Sequence, residues 1–580
     1  MSPARSVVLM ALLLASSGYS LADPLLDPDE SRARQAGEVA VKTVIPRKFD
    51  YRSLKLGFMP FRATVSNIRI SENDVFARHP LRDWSAFATA DRVDITAELL
   101  PLFIGRIAVT DLNVTNFHAN VLVDKDFRLN VGDLMQQKRG PLVNWLRVKQ
   151  CLATGGSVRV VDATAVRGPA NLVFDDITAR FTGFAVKDKF DLDIGLRTPG
   201  ATSRNVSLRG IAGPIYKTVR SEQVPITGML TVDRAPILPF SPYIPAGLTA
   251  YPESGEASMN LQLQGNAWEG LVTKGGIRLD RLVMTSPDGK LKGKPFTMAL
   301  DIGHNVLTLK ENRLDINAMA VSMGGNRLTV DGKVTGLPRR PVIDVAMRAP
   351  AMDPSAMEEV YPFFRAYLPK GLQFNGTTAL DIQARGDMES MVSTGRLDVS
   401  RLGLFLDNVF AKKTGASLAV DFSASLAPSR FAIQARATVQ GDELQLLNAW
   451  VFRNGLRLAL GKTVPAKAVD AAVSPTAALV TTAVHGVMDY ENGFVRFTDF
   501  AADGLRDKDS VVADALFTGS FDLNRRIVRW DVRARLSPER TRGLLKMSPG
   551  LASRLDAEGR LPFRFRVEGD MEKPEVIAAP

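Results

Sequence analysis

An eleven-residue block that begins and ends on glycine occurs three times in the sequence. It reads GEASMNLQLQG at 255–265, GTTALDIQARG at 376–386 and GRLPFRFRVEG at 559–569. Apolar residues occupy alternate positions between the glycines and polar residues mostly separate them. The apolar positions are Met259, Leu261 and Leu263, then Leu380, Ile382 and Ala384, then Phe563, Phe565 and Val567. This period of two predicts a β-strand with one apolar and one wet face.

One such strand is unstable alone. Burying three medium-sized apolar side chains stabilises by roughly 5–9 kcal/mol, whereas ordering eleven backbone residues costs about 11–22 kcal/mol. The blocks must therefore join neighbouring strands in a shared sheet. Related turns precede them, with PAGL at 245–248, PKGL at 369–372 and PGL at 549–551. The repeats are unevenly spaced, which indicates a strand–crossover–strand module with insertions rather than a tight solenoid.

Length and composition favour a large folded β-protein. The chain has 580 residues, 45% of them hydrophobic and 23% charged, with 45 glycines and 33 prolines. Helical patterns do not alternate with the strands, which argues against parallel βαβ units. We predict a mainly β fold: an extended, twisted antiparallel sheet forming a groove, with short crossover helices. The expected domains are an N-terminal β region at 23–224 and repeated strand–crossover modules at 225–580.

The first 22 residues are typical of an export signal. A short apolar run at 7–15 follows Arg5, and Ser20 and Ala22 form a small-x-small cleavage site. A short retained anchor is the alternative. Residues 29–44 predict an amphipathic helix, residues 142–152 a short helix, and the apolar run before Gly461 a strand.

The sequence contains no recognisable catalytic or metal-binding pattern, so no enzyme activity, metal or cofactor is expected. The four histidines are far apart, and the GKT sequence at 461–463 lacks the earlier glycine of a phosphate loop. The single cysteine, Cys151, fits a packed small residue better than a nucleophile.

Two surfaces remain as functional candidates. The apolar face of the repeated strands is either an ordinary closed core or an open trough for acyl chains, lined by Met259, Leu261, Leu263, Leu380, Ile382, Phe563, Phe565 and Val567. The stretch 525–566 contains twelve Lys or Arg and four Asp or Glu, in a chain of net charge +11. Its arginines either keep strands soluble or contact anionic lipid headgroups. The headgroup candidates are Arg533, Arg535, Arg564 and Arg566.

Several short motifs resemble the AsmA-like family of bacterial envelope proteins. They are LKLGFMPFRATVSNIRIS at 54–71, ADRVDITAELLPLFIGRIAVTDLNVTN at 90–116, DFRLN at 126–130 and GDMEKPEV at 569–576. Leu99, Leu100, Pro101 and Leu102 match a step common in that family. Phe127 stands where the family often has glycine, and the short N-terminus differs from the family's usual membrane anchor.

The resemblance implies a non-enzymatic β-groove protein in the periplasm of a Gram-negative bacterium, with inner-membrane association. Its expected partners are phospholipids or other acyl lipids, the inner or outer membrane and an envelope protein. Nucleic acid is not an expected partner. The implied function is phospholipid transport or outer-membrane assembly. The alternative is a scaffold or assembly factor of an envelope or secretion machine, with a closed core and protein partners.

Overall fold

A computed structural model describes most of the chain. The described residues are 47–58, 61–98, 108–135, 147–185, 187–215, 221–244, 250–286, 288–337, 340–360, 371–387, 389–406, 410–427, 432–447, 449–461, 464–474, 478–491, 493–507, 510–523, 525–570 and 573–579. The predicted export signal at 1–22 and the predicted helix at 29–44 lie outside these residues.

The fold is mainly β, as predicted, and the chain divides into two compact units. The first comprises Met1–Lys290 and Pro295–Met319, and the second comprises Leu291–Lys294 and Ala320–Pro580. The predicted boundary at 224/225 falls inside the first unit and stays a prediction. The strands before the division are β1 Phe49–Asp50, β2 Ser53–Phe58, β3 Phe61–Ile70, β4 Ala88–Ala97, β5 Ala108–Val123, β6 Arg147–Asp162, β7 Ala170–Ala185, β8 Phe190–Arg197, β9 Val206–Ala212, β10 Ile226–Pro236, β11 Tyr251–Asn266, β12 Gly270–Thr285 and β13 Phe296–Thr308.

The division falls within β14, Arg313–Met323. The strands of the second unit that follow are β15 Asn326–Thr335, β16 Val342–Met352, β17 Leu372–Gly376, β18 Thr378–Gly386, β19 Met391–Asp398, β20 Leu402–Leu406, β21 Phe410–Lys412, β22 Leu418–Ala427, β23 Ala432–Gly441, β24 Leu444–Leu446, β25 Leu479–Val480, β26 Ala483–Glu491, β27 Phe494–Asp507, β28 Ser510–Asp522, β29 Ile527–Leu536, β30 Pro562–Asp570 and β31 Glu575–Ala578.

Helices are short and few among the described residues. The α-helices are α1 Gly132–Met135, α2 Pro354–Val360, α3 Ala449–Leu460, α4 Ala466–Ala472 and α5 Pro538–Met547. Short 3₁₀ helices cover Ser221–Gln223, Leu238–Tyr243 and Pro549–Arg554.

Neighbouring strands pair antiparallel with one exception among the described pairings. β5 and β6 run parallel, with Leu112 opposite Cys151 and Val121 opposite Val160. The predicted helix at 142–152 is wrong for its described part, because β6 begins at Arg147. The connection from Val123 to Arg147 is long enough for the crossover that a parallel pair requires. The sheet predicted to be antiparallel therefore contains one parallel pair among its described pairings.

The repeated module is confirmed as a pair of antiparallel strands joined by a helical crossover. β10 leads through Leu238–Tyr243 to β11, β16 through α2 to β17 and β18, and β29 through α5 and Pro549–Arg554 to β30. The middle apolar residue of each block lies opposite an apolar residue of the preceding strand. These pairs are Leu230 with Leu261, Met347 with Ile382, and Val532 with Phe565.

The apolar run before Gly461 is helix α3, which corrects the predicted strand. Phe452, Leu456 and Leu460 recur every four residues and are all buried, as on one face of a helix. Gly461 follows the helix with φ of +70°, a conformation that favours glycine and commonly ends helices. The four-residue spacing of Phe452, Leu456 and Leu460 is visible in the sequence and indicates a helix more strongly than a strand.

Candidate functional site

The first block lies within a broad apolar face in the first unit. Its alternate residues are aligned with apolar residues of the neighbouring strands on both sides. One transverse row crosses β8 to β13 and consists of Leu196, Val206, Val232, Met259, Ile277 and Leu300. The adjacent row contains Ile194, Leu208, Leu230, Leu261, Gly275 and Ile302. The opposite face of β11 is wet, and Asn260 and Gln262 are exposed there.

This apolar face is only half-buried. Each of the six side chains in the row through Met259 keeps an intermediate exposure, and so does Leu263, whereas Leu261 is 9% exposed. The four residues of this row on β9 to β12 have a hydrogen-bonded strand on either side. The solvent that still reaches their side chains therefore contacts them over the apolar face of the sheet and not from an edge. None of the block's three residues belongs to a buried core cluster formed by described residues. The first block therefore presents apolar surface to solvent.

The second block repeats this arrangement in the second unit. Its row crosses β15, β16, β18, β19, β22, β23 and β26, and consists of Val330, Met347, Ile382, Gly395, Phe422, Ala437 and Met488. All of these except Val330 are half-buried. Leu380 is also half-buried, whereas Ala384 is 3% exposed. Polar residues such as Asp381 and Gln383 occupy the exposed opposite face.

The third block is closed. Phe563, Phe565 and Val567 are 5%, 0% and 2% exposed and belong to the core cluster of the second unit. Helix α3 covers them, with the Phe452 ring at 5.7 Å from the Phe565 ring in an edge-to-face arrangement. For this block the structure supports the closed-core alternative, and these three residues do not line an open trough.

Close contact between α3 and β30 depends on Gly455. A Cβ atom at this position would lie 2.3 Å from the Phe565 ring, which is far inside van der Waals contact. Helix α5 contributes Leu544 to the same core. Its N-cap residue is Ser537, whose side chain accepts a hydrogen bond from the Arg540 backbone N–H. The N-cap hydrogen bond satisfies one of the free donors in the first turn of the helix.

The four arginines predicted to contact headgroups lie on the wet face of β29 and β30. Arg533 and Arg564 are directly opposite one another, while Arg566 is opposite Asp531 and lies 3.2 Å from its carboxylate. Arg535 is opposite Pro562 and is 3.7 Å from Glu558. All four arginines thus lie on one face. Arg533 and Arg564 are directly opposite each other, whereas Arg566 and Arg535 each have a carboxylate nearby.

The single cysteine lies in the closed core of the first unit. Cys151 is 4% exposed, and burial raises the pKa of its thiol to about 12. The neutral thiol is therefore the dominant form at neutral pH, and thiols in this form are poor nucleophiles. This placement agrees with a packed small residue.

A buried polar network was not predicted from the sequence. Arg47 is buried, donates to the Asp133 carboxylate at 2.9 Å and lies 3.6 Å from Glu72. Glu72 also accepts a hydrogen bond from Trp84 and from the Asn130 side chain, both at 3.0 Å. These hydrogen bonds join residues far apart in the chain, so the network holds the N-terminal strands together, although the buried Nη1 of Arg47 has no hydrogen-bond partner among the described residues.

Other chemistry is sparse in the part of the chain that the structure describes. His118 hydrogen-bonds Ser157 at 2.6 Å on the exposed side of β5 and β6, and His485 lies 3.4 Å from Asp503. Within the described ranges, His, Cys, Asp and Glu side chains form no group of three that could hold a metal ion. No described helix has the length and apolar content needed to cross a membrane.

Comparisons with protein-family models, with curated proteins and with solved structures found no match to this chain.

Proposed function

We propose that this protein binds lipid acyl chains along the open apolar faces of its repeated strands and supports phospholipid transport or envelope assembly. One observation carries the proposal: the rows through Met259 and Ile382 are apolar and aligned over six or seven strands, yet all their residues except Val330 are only half-buried. Large contiguous apolar surfaces are uncommon on soluble proteins and mark sites of interaction.

The proposed lipid surface comprises Met259, Leu261 and Leu263 in the first unit and Leu380 and Ile382 in the second. Phe563, Phe565 and Val567 are left out because α3 covers them. The motif resemblance to AsmA-like proteins supports the same function, together with a periplasmic location and contact with the inner or outer membrane. Lipid and membrane are the proposed partners, and no catalytic step is involved.

The binding would be passive and reversible. A fully buried methylene group gains about 0.8 kcal/mol, so a chain lying on an open face gains roughly half of that per methylene. A chain of about sixteen carbons would gain roughly 6 kcal/mol before the cost of immobilisation. This free energy is enough to shield a chain from water and small enough for the chain to slide or leave, while the headgroup stays in solvent.

Photo-crosslinking within cells tests the proposal with a control on the same strand. A photoreactive amino acid at Ile382 or Met259 should form adducts with phospholipid, identified by mass spectrometry. The same amino acid at Gln383 or Asn260, one residue along and on the opposite face, should form few or none. Absence of lipid adducts at both Ile382 and Met259, or equal adducts on both faces, would disprove lipid binding at this surface.

The same experiment separates the lipid proposal from the scaffold alternative. A scaffold that uses the open faces would give a stoichiometric protein adduct at Ile382 or Met259 without lipid. The closed core around Phe565 is the observation that favours the alternative, because it shows that one copy of the block serves only packing.

A further inference from the structure

On the wet face of β29 and β30, three pairs of charged residues lie directly opposite one another and form the rungs of a ladder. The first two rungs place opposite charges across from one another, whereas the third places two arginines together. The rungs are Arg529 with Glu568, Asp531 with Arg566, and Arg533 with Arg564. Like charges directly opposite one another on neighbouring strands are destabilising.

Among the residues that the structure describes, none supplies Arg533 with a carboxylate partner to offset this repulsion. Its neighbour on the other side, in β28, is Leu516, and no described carboxylate lies within 4 Å of its guanidinium. The nearest acid to Arg564 is Asp531 at 3.9 Å, which already pairs more closely with Arg566. The two guanidinium groups therefore share one face with little local compensation.

A cleft of about 780 Å³ contains this pair. Arg535 and Arg554 also line it, together with two aspartates. Asp514 is already engaged, because it accepts from Arg560 at 2.6 Å and from the Gly504 backbone N–H at 2.8 Å. Asp503 lies 3.4 Å from His485. Four arginines and two aspartates thus line the cleft, and the carboxylate of Asp514 is held by Arg560.

A second cleft, in the first unit, has carboxylate partners for two of the three arginines that line it. Its volume is about 410 Å³, and it lies on the polar side of β8 to β10. There Arg204 binds Asp176 at 2.8 Å and Arg209 binds Asp193 at 3.3 Å. No described carboxylate pairs with Arg533 in this way, which makes the cleft of the second unit the better site for an anion.

We propose that the cleft binds a phosphate monoester between Arg533 and Arg564. A phosphate monoester carries close to two negative charges at neutral pH and offers several oxygens. Planar guanidinium groups form paired hydrogen bonds with such oxygens, so one phosphate group can neutralise both arginines. The ligand is either a soluble phosphate ester or the headgroup of a lipid such as phosphatidic acid, and the site does not depend on acyl-chain binding at Met259 or Ile382.

Calorimetry of glycerol 3-phosphate binding to the full chain tests whether the ligand is a soluble phosphate ester. Flotation with phosphatidylcholine vesicles, with and without phosphatidic acid, tests the lipid source. The double variant Arg533→Gln/Arg564→Gln should weaken the binding at least tenfold. The matched control Arg529→Gln removes a positive charge from the same face of the same strand, opposite Glu568, and should change the binding less than twofold.

Thermal unfolding separates ligand binding from a structural role. Without ligand, the double variant should be at least as stable as the wild type, because it removes the like-charge pair. If glycerol 3-phosphate is a ligand, it should raise the Tm of the wild type but not that of the double variant.

Binding of the soluble ester supports a soluble ligand, and binding restricted to phosphatidic acid vesicles supports a headgroup. Either result supports the phosphate site. The proposal is overturned if neither binds, or if the double variant binds as well as the wild type. Lipid adducts at Met259 and Ile382 report on the acyl-chain proposal separately.

Discussion

The second and third copies of the glycine-bounded block have the same alternation but different surroundings. Ile382, in the middle of the second block, is half-buried, whereas Phe565, in the middle of the third block, is fully buried. The difference is the cover: helix α3 lies on β30. An alternating strand therefore defines which face is apolar, while a separate element decides whether that face becomes a core or a surface.

Thiol labelling gives the largest expected contrast between closed and open regions. The new thiol of Met259→Cys, in a Cys151→Ser background, should react with a maleimide at pH 7.5 about a thousandfold faster than Cys151 does in the wild type. The reason is that burial raises the pKa of the Cys151 thiol to about 12. Denaturant should abolish the difference, and Asn260→Cys on the wet face provides an exposed control. Equally slow labelling at residue 259 would mean that the first block is covered.

Truncation of the middle residue of each block should have very different costs. Phe565→Ala should lower the free energy of unfolding by about 3–5 kcal/mol, because it leaves a cavity under α3. Ile382→Ala should cost roughly 1 kcal/mol, because solvent already reaches the side chain. Urea denaturation measures both values. A loss at Ile382 as large as that at Phe565 would place the second block in a closed core as well.

The contact between α3 and β30 can be tested through Gly455. Gly455→Ala should destabilise by about 1–3 kcal/mol, since the new methyl group overlaps the Phe565 ring. This loss should appear although alanine favours a helix by about 1 kcal/mol over glycine.

The control for this variant is Gly543→Ala in α5, where a Cβ atom meets nothing within 4 Å. It should stabilise by about 0.5–1 kcal/mol. Phe565→Leu should recover part of the loss caused by Gly455→Ala in a double-mutant cycle. Stabilisation by Gly455→Ala would contradict the close approach of helix and strand.

The smallest expected effect concerns the turn after the second block. Asp387 accepts backbone N–H bonds from Ser390 and Glu389, and these bonds hold its pKa below the ordinary value. A lowered carboxyl pKa stabilises the fold above the unfolded pKa, and this stabilisation is lost as pH falls through the folded value.

Asp387→Asn should therefore be slightly less stable than the wild type above about pH 5, because the unfolded pKa is about 3.9. The difference should disappear toward pH 2. Urea denaturation of both proteins across this range measures it. A difference that stays constant down to pH 2 would show that the charge of Asp387 plays no part.

Local periodicity predicted more of the fold than of the candidate site. The alternation at 255–265 predicted β11 and its wet and apolar faces, and the repeated turns predicted the paired strands of each module. The parallel pairing of β5 with β6 was missed, since the sequence pattern of a strand does not specify its direction relative to a neighbour. Helix α3 was missed because Leu456, Leu458 and Leu460 also alternate, and this short local pattern masked the four-residue spacing from Phe452.

By itself, the sequence determined a mainly β chain built from two-faced strands, because the two-residue period follows from the geometry of each strand alone. Only the tertiary structure decided that Phe563, Phe565 and Val567 are core while Met259 and Ile382 remain open. That outcome depends on contacts between residues far apart in the chain, such as Phe452 with Phe565 and Gly455 with the same ring. The pairing of Arg533 with Arg564 likewise depends on the register of two strands, which their separate sequences do not specify.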